Sequence, residues 1–181
     1  TKSAGREYAL DNGGAGITAL LKHAYGDFQT DSETVASTQA AVVGAKDLGL
    51  NASNLAEGLN ILAAGEKSGS LSAKGVLTEF GGVGSNLAGL RKQSGLSALR
   101  ESQGLAQALG NIPGVAGNID QVRVYGENLL GKFADTETRG RLKDIAGVDT
   151  FDKEGRLRPV ADIEEDISKF RLKDPRNEAK L

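Results

Sequence analysis

The stretch Leu96–Gly110 reads LSALRESQGLAQALG, and its leucines decide how the chain is read. Leu96, Leu99, Leu105 and Leu109 give it the apolar stripe of an amphipathic helix. The same rhythm runs outward in both directions. On the far side, Ile112-Pro113-Gly114 is a hard break. AGNIDQVRVYGENLLGKFA follows as the longest helix, with Ile119, Val122, Leu129 and Phe133 inward. DTETRGRLKDIAG makes a shorter one, capped by Asp135 or Thr136.

On the near side, Gly13–Tyr25 carries Ile17, Leu20, Leu21 and Ala24 on one face. The run from Asp27 to Leu50 has Thr30 or Asp31 as its cap and Glu33 in its first turn. Val35, Thr38, Val42 and Ala45 form its stripe, and Gly49 closes it. NASNLAEGLNILAAGEKSG takes Asn51 as cap, Leu55, Leu59 and Leu62 as stripe, and Gly65 or Gly69 as its end. SLSAKGVLTEF starts from Ser70 or Ser72, and GGVGSNLAGLRKQSG continues through Leu87 and Leu90.

One stretch breaks the rhythm. In GVDTFDKEGRLRPV, Gly147–Val160, two short extended runs flank DKEG, which has the Asp-first, Gly-last pattern of a type I turn. Pro159 restricts the second run to an edge or an end. The pattern predicts a small hairpin that holds the final helix against the bundle, its DKEG turn exposed with Gly155 at positive φ and Phe151 buried against Leu142, Ile145 and Ile163. VADIEEDISKF then turns helical through Ile163, Ile167 and Phe170, and RLKDPRNEAKL reads as a mobile polar tail.

The expected fold is therefore mainly α, a bundle of seven or eight short Gly-capped helices with one small β-hairpin near residues 148–159. The expected organisation is a frayed segment 1–12, a helical bundle 13–147, the hairpin 148–159, and an outgoing helix and tail 160–181.

Composition narrows the chemistry. A net charge of −2 gives no basic excess for phosphate neutralisation, so specific nucleic-acid recognition is not expected. Cysteine is absent, which excludes disulfides and thiolate metal sites. No apolar run is long enough to span a bilayer. Thr1 in first place and the absence of Met read as a piece of a longer protein. Glycine, at 25 of 181 residues, is about double ordinary usage, while aromatics are only 4%. Gly inside a helix costs ~1 kcal/mol against Ala, so these helices depend on packing rather than propensity.

Five features suggest chemistry and fail on inspection. GENLLGKF, Gly126–Phe133, approaches a phosphate loop, but Phe133 stands where the magnesium-binding hydroxyl is required. FGGVGSN lacks the full dinucleotide pattern and reads as a flexible junction. Glu101-Ser102 followed by Gly104-Leu105 has the letters of a lytic transglycosylase but not the spacing, which leaves Glu101 solvated on a helix. His23 is the only histidine, too little for a zinc site or a Ser-His pair, and reads as a surface residue. The acidic DIEED, Asp162–Asp166, reads as a solvated helix face. No catalytic, cofactor or metal residue is assigned, and the chain is not expected to be an enzyme.

From Leu48 onward the order of elements resembles the phage tail tape measure proteins. The carrying pieces are LGLNASNLAEGLNILAAGEKSGSLSAKGVLTEFGGV, GLAQALGNIPGVAGNIDQVRVYGENLLGKF and AGVDTFDKEGRLRPVADI. The last is the most specific, matching the family's hairpin at Gly147, Val148, Phe151, Asp152, Gly155, Arg158 and Ile163. The long coiled coil and the apolar segment found elsewhere in such proteins are missing here.

The resemblance implies a structural virion protein acting in tail assembly, tail length determination and genome ejection. It implies a location in the tail interior, and in the host cytoplasm during assembly. The implied partners are further copies of itself, tail tube, tail tip and tail chaperone proteins, with the host membrane or periplasm on ejection. Two other readings are a peptidoglycan-degrading domain carried by a tail protein and a membrane-interacting pore segment of an ejected protein.

Overall fold

The structure, a computed structural model, describes residues 43–50, 54–115 and 117–180. The segment 1–12, the helix expected over Gly13–Tyr25 with His23, most of the run from Asp27 to Leu50 and the Asn51 cap lie outside the described residues. Among the described residues the chain is mainly helical and has no strand. After a helical stretch at 43–47 come α1 (Leu55–Ser68), α2 (Ala73–Thr78), α3 (Gly81–Arg91), α4 (Gly95–Gly110), α5 (Ile119–Ala134), α6 (Thr136–Ala146) and α7 (Val160–Lys173). A 3-10 helix, Pro175–Lys180, closes the series.

The chain divides into two compact units. The first takes the described residues up to Gly89 together with Gln93–Gly126. Its opening helical stretch ends where the spacing predicts: Gly49 N–H donates to Lys46 O at 2.7 Å and Leu50 N–H to Ala45 O at 2.8 Å, the paired bonds of a Schellman cap. Ser72 caps α2 by accepting from Gly75 N–H at 3.0 Å.

Helices α1 and α4 form the main contact of this unit, and glycines set its closeness. Gly58 of α1 faces Leu99 of α4, Gly65 faces Gln103, and Gly69 at the end of α1 faces Gln107. Both series ascend, so the two helices run in the same direction, with Gln103 and Gln107 seated where a Cβ would otherwise stand and Leu99 in tight contact with that of Gly58. Gln107 also clamps the α1–α2 connection. Its Oε1 accepts from Leu71 N–H at 3.0 Å and its Nε2 donates to Leu71 O at 2.9 Å. Leu62, Leu71, Phe80 and Leu99 are almost fully buried beneath these helices. Each contributes roughly 1.5–3 kcal/mol by leaving water.

FGGVGSN, expected as a flexible junction, is instead the start of α3, with Gly81, Val83 and Gly84 buried. The reason is close approach. A Cβ on Gly84 would run into the Ser102 hydroxyl, and one on Gly81 would touch the backbone of Gly44. Gly84 makes room for α4 rather than for bending, whereas a Cβ on Gly81 would make only ordinary contact.

The second unit takes Leu90–Lys92 and the described residues from Glu127 onward. Leu130, Phe133, Leu142, Leu157, Ile163 and Ile167 form its core. Asp135 caps α6, its carboxylate accepting from Thr138 N–H at 2.8 Å. The tail expected to be mobile is folded. Asn177, only 6% exposed, donates its amide to Phe170 O at 2.9 Å, which satisfies an end carbonyl of α7. Arg176 pairs with Asp174 at 2.7 Å.

Not every helical glycine has a packing reason. Gly89, Gly104, Gly131 and Gly140 are exposed inside helices, with nothing within 4 Å of where a Cβ would stand. Gly104→Ala or Gly140→Ala should stabilise the chain by about 0.5–1 kcal/mol. Gly65→Ala should instead destabilise it by about 1–3 kcal/mol, because the new methyl displaces the buried Gln103 amide. Thermal unfolding followed by circular dichroism reads both signs; a gain at Gly65 would contradict the seating of α4 on α1.

Candidate functional site: the 147–163 loop

The loop that breaks the helical rhythm is held partly by its own side chains and partly by the end of α3. Gly147 leaves α6 in the left-handed region at φ 69, where a Cβ would be strained. Its N–H donates to Lys143 O at 2.9 Å. Val148 and Thr150 then turn inward, 3% and 1% exposed. The Thr150 hydroxyl donates to Phe133 O in the last turn of α5 at 3.0 Å.

Asp152 organises the turn. One carboxylate oxygen accepts from Glu154 N–H at 3.0 Å and Arg156 N–H at 2.9 Å. The other accepts from the Arg156 guanidinium at 2.8 Å. The backbone N–H of Arg156, ahead of its guanidinium, holds the Asp152 carboxyl below the ordinary carboxylate range. Gly155 has φ 69, as the turn chemistry predicts.

The two-strand hairpin expected over 148–159 does not form. Phe151 and Leu157 make a single antiparallel bridge, flanked by Asp152 N–H to Arg156 O and Arg158 N–H to Thr150 O, both 2.9 Å. A longer ladder lacks free backbone groups. The Asp152 carboxylate occupies the N–H groups of Glu154 and Arg156, Leu157 N–H donates to Leu90 O at 2.8 Å, and Pro159 has no N–H and leads into α7.

The turn at the end of α3 grips this loop. Arg91 donates to Leu157 O at 2.6 Å and Lys92 donates to Glu154 O at 2.7 Å. Lys92 itself has φ 53, a conformation that costs a non-glycine residue of order 1–3 kcal/mol. On the other side, Arg158 donates to Asp149 O at 2.8 Å and pairs with Asp166 of α7 at 2.8 Å. The Arg158 hydrogen bond lowers the Asp166 carboxyl's pKa.

Phe151 is not the deepest anchor. Leu157 and Ile163 are fully buried, whereas Phe151 is half-buried beneath the Arg139 guanidinium, 4.2 Å from the ring centroid. The extended run alternates, and with Val148 and Thr150 inward Phe151 falls on the outer parity. That alternation was available in the sequence; the burial of Leu157 across the turn was not.

The other motifs resolve into structure. Gly126–Phe133 lies within α5, with Gly126 against Phe80 and Phe133 buried, so no phosphate loop exists. Glu101 is half-buried rather than solvated and accepts from Gln93 at 3.1 Å. In DIEED, Glu165 pairs with Lys169 at 2.6 Å and Asp166 with Arg158. Among the described residues no group of three or more His, Cys, Asp or Glu could hold a metal, and no helix is long and apolar enough to cross a membrane. A cavity of about 210 Å³ lies in the second unit beside Lys132, Thr138, Arg141, Leu142 and Ile145. No carboxylate, His or Cys lines it.

Comparisons of the chain with protein families, with curated proteins and with solved structures give no match.

Two outcomes follow for the loop. Leu157→Ala should cost about 2–5 kcal/mol, Phe151→Ala about 1–2 kcal/mol, and Lys153→Ala almost nothing, all read by urea unfolding. Asp152→Asn should lower stability at neutral pH. Because the native carboxyl is shifted downward, its contribution is present above the ordinary value of 3.8 and lost as pH falls through the lowered native value. The stability gap between Asp152→Asn and the unaltered chain should therefore close on the acid side.

Proposed function

We propose that this chain is a structural module of a phage tail tape measure protein, acting without catalysis in tail assembly, length determination and genome ejection. The observation that carries the reading is how the family-like residues of the 147–163 loop are used. Gly147 ends a helix, Asp152 and Gly155 make the turn, Arg158 ties the loop to α7, and Val148 and Ile163 are buried. Residues used in this way maintain an architecture; none is left as an acid, base or nucleophile.

The open-face glycines add support. Gly89, Gly104, Gly131 and Gly140 weaken their helices with no contact in return. A chain that is packed within a tail and released from it gains from helices that unfold at low cost.

The test uses assembled particles. Mass spectrometry of purified tails should find the chain before DNA ejection and show its loss afterwards. Shortening the helical part of the full protein should shorten the tail in proportion. Tails of unchanged length, or particles lacking the chain, would refute the proposal. Peptidoglycan clearing by the purified chain that vanishes in Glu101→Gln would establish the enzymatic reading instead.

A further inference from the structure

Two adjacent side chains of α4 are polar, buried and without partners. Ser102 is 1% exposed and Gln103 is 5% exposed. Neither the Ser102 hydroxyl nor either end of the Gln103 amide makes a hydrogen bond. They are also tightly packed: the Cβ positions of Gly84 and Gly65 fall on the Ser102 hydroxyl and the Gln103 amide respectively. That packing leaves no water-sized gap between each polar group and the glycine it faces. One turn further on, Gln107 lies on the same face with both ends of its amide bonded to Leu71. The same residue type thus occurs once as an orphan and once as a clamp.

We propose that the contact of α4 with α1 and α3 is a built-in plane of weakness, along which α4 lifts away at Ser102 and Gln103 while Gln107 keeps its hold on Leu71. On opening, three buried polar atoms regain hydrogen bonds to water, which offsets part of the cost of exposing Leu99 and Leu105. Closing returns those leucines to the core. The Gln107 clamp fixes where the movement stops, since Leu71 and the start of α2 remain attached to α4. This inference rests on hydrogen-bond geometry and is independent of the proposed role in the tail.

Native-state hydrogen exchange on the full chain tests it. Amides 98–106 of α4 should exchange through a partial opening that is less sensitive to urea than global unfolding. Gln103→Met and Ser102→Ala, each removing an orphaned polar group at similar volume, should slow that exchange by roughly two- to tenfold and raise Tm by about 2–4 °C. Gln107→Met, which removes two made bonds, should do the reverse. Opposite signs for the two glutamines support the proposal. It is overturned if Ser102→Ala or Gln103→Met speeds exchange or lowers Tm, or if amides 98–106 exchange only through global unfolding.

Discussion

The first unit depends on how closely α4 can approach α1. Leu99, Gln103 and Gln107 each meet a glycine rather than a side chain, so the helix surfaces come nearer than larger residues would permit. That proximity lets Gln107 reach both backbone groups of Leu71. The bonds in turn hold the chain between α1 and α2, where Glu66 adds a further bond to Ala73 N–H at 3.1 Å. Without the close approach these backbone groups would require other partners. Glycine is thus a packing residue on α1 and at the start of α3, although the same residue lowers helix propensity.

The second unit solves a different problem. It has to turn the chain from α6 into α7 across a segment whose backbone groups are mostly taken by partners other than a strand. Asp152 substitutes for a strand partner by accepting two backbone N–H groups, and the last turn of α3 supplies the rest through Leu90, Arg91 and Lys92. The strained φ of Lys92 and the exposed ion pairs around Arg156 are local features of this arrangement. Exposed pairs contribute little individually; the buried Leu157 and Ile163 contribute more.

These features bear on the proposed role through their combined balance. Buried leucines favour the folded chain, while open-face glycines and the unpartnered Ser102 and Gln103 oppose it. The outcome is a helical fold whose stability is set by tertiary contacts more than by its individual helices. A structural protein that must be packed, released and reshaped is served by that balance.

Much of the local structure was legible in the sequence because it depends on residues within one turn of each other. The Ser72 and Asp135 caps, the ends at Gly49 and Gly147, the break at Pro113 and the positive φ of Gly155 all follow from side-chain and backbone geometry over a few residues. The sequence also supplied much of the apolar faces of α1, α4 and α5, although in α5 it is Leu130 rather than Leu129 that is fully buried. Tertiary structure alone decided the rest. Gly65 and Gly104 look alike as letters, yet one faces Gln103 and the other open space. Leu157 is buried and the hairpin shrinks to one bridge because Leu90 and Arg91, far away in the chain, take its backbone groups. The polar tail folds because Asn177 finds the carbonyl of Phe170. Periodicity reports which face of a helix is apolar, but it carries no information about which distant group will meet that face.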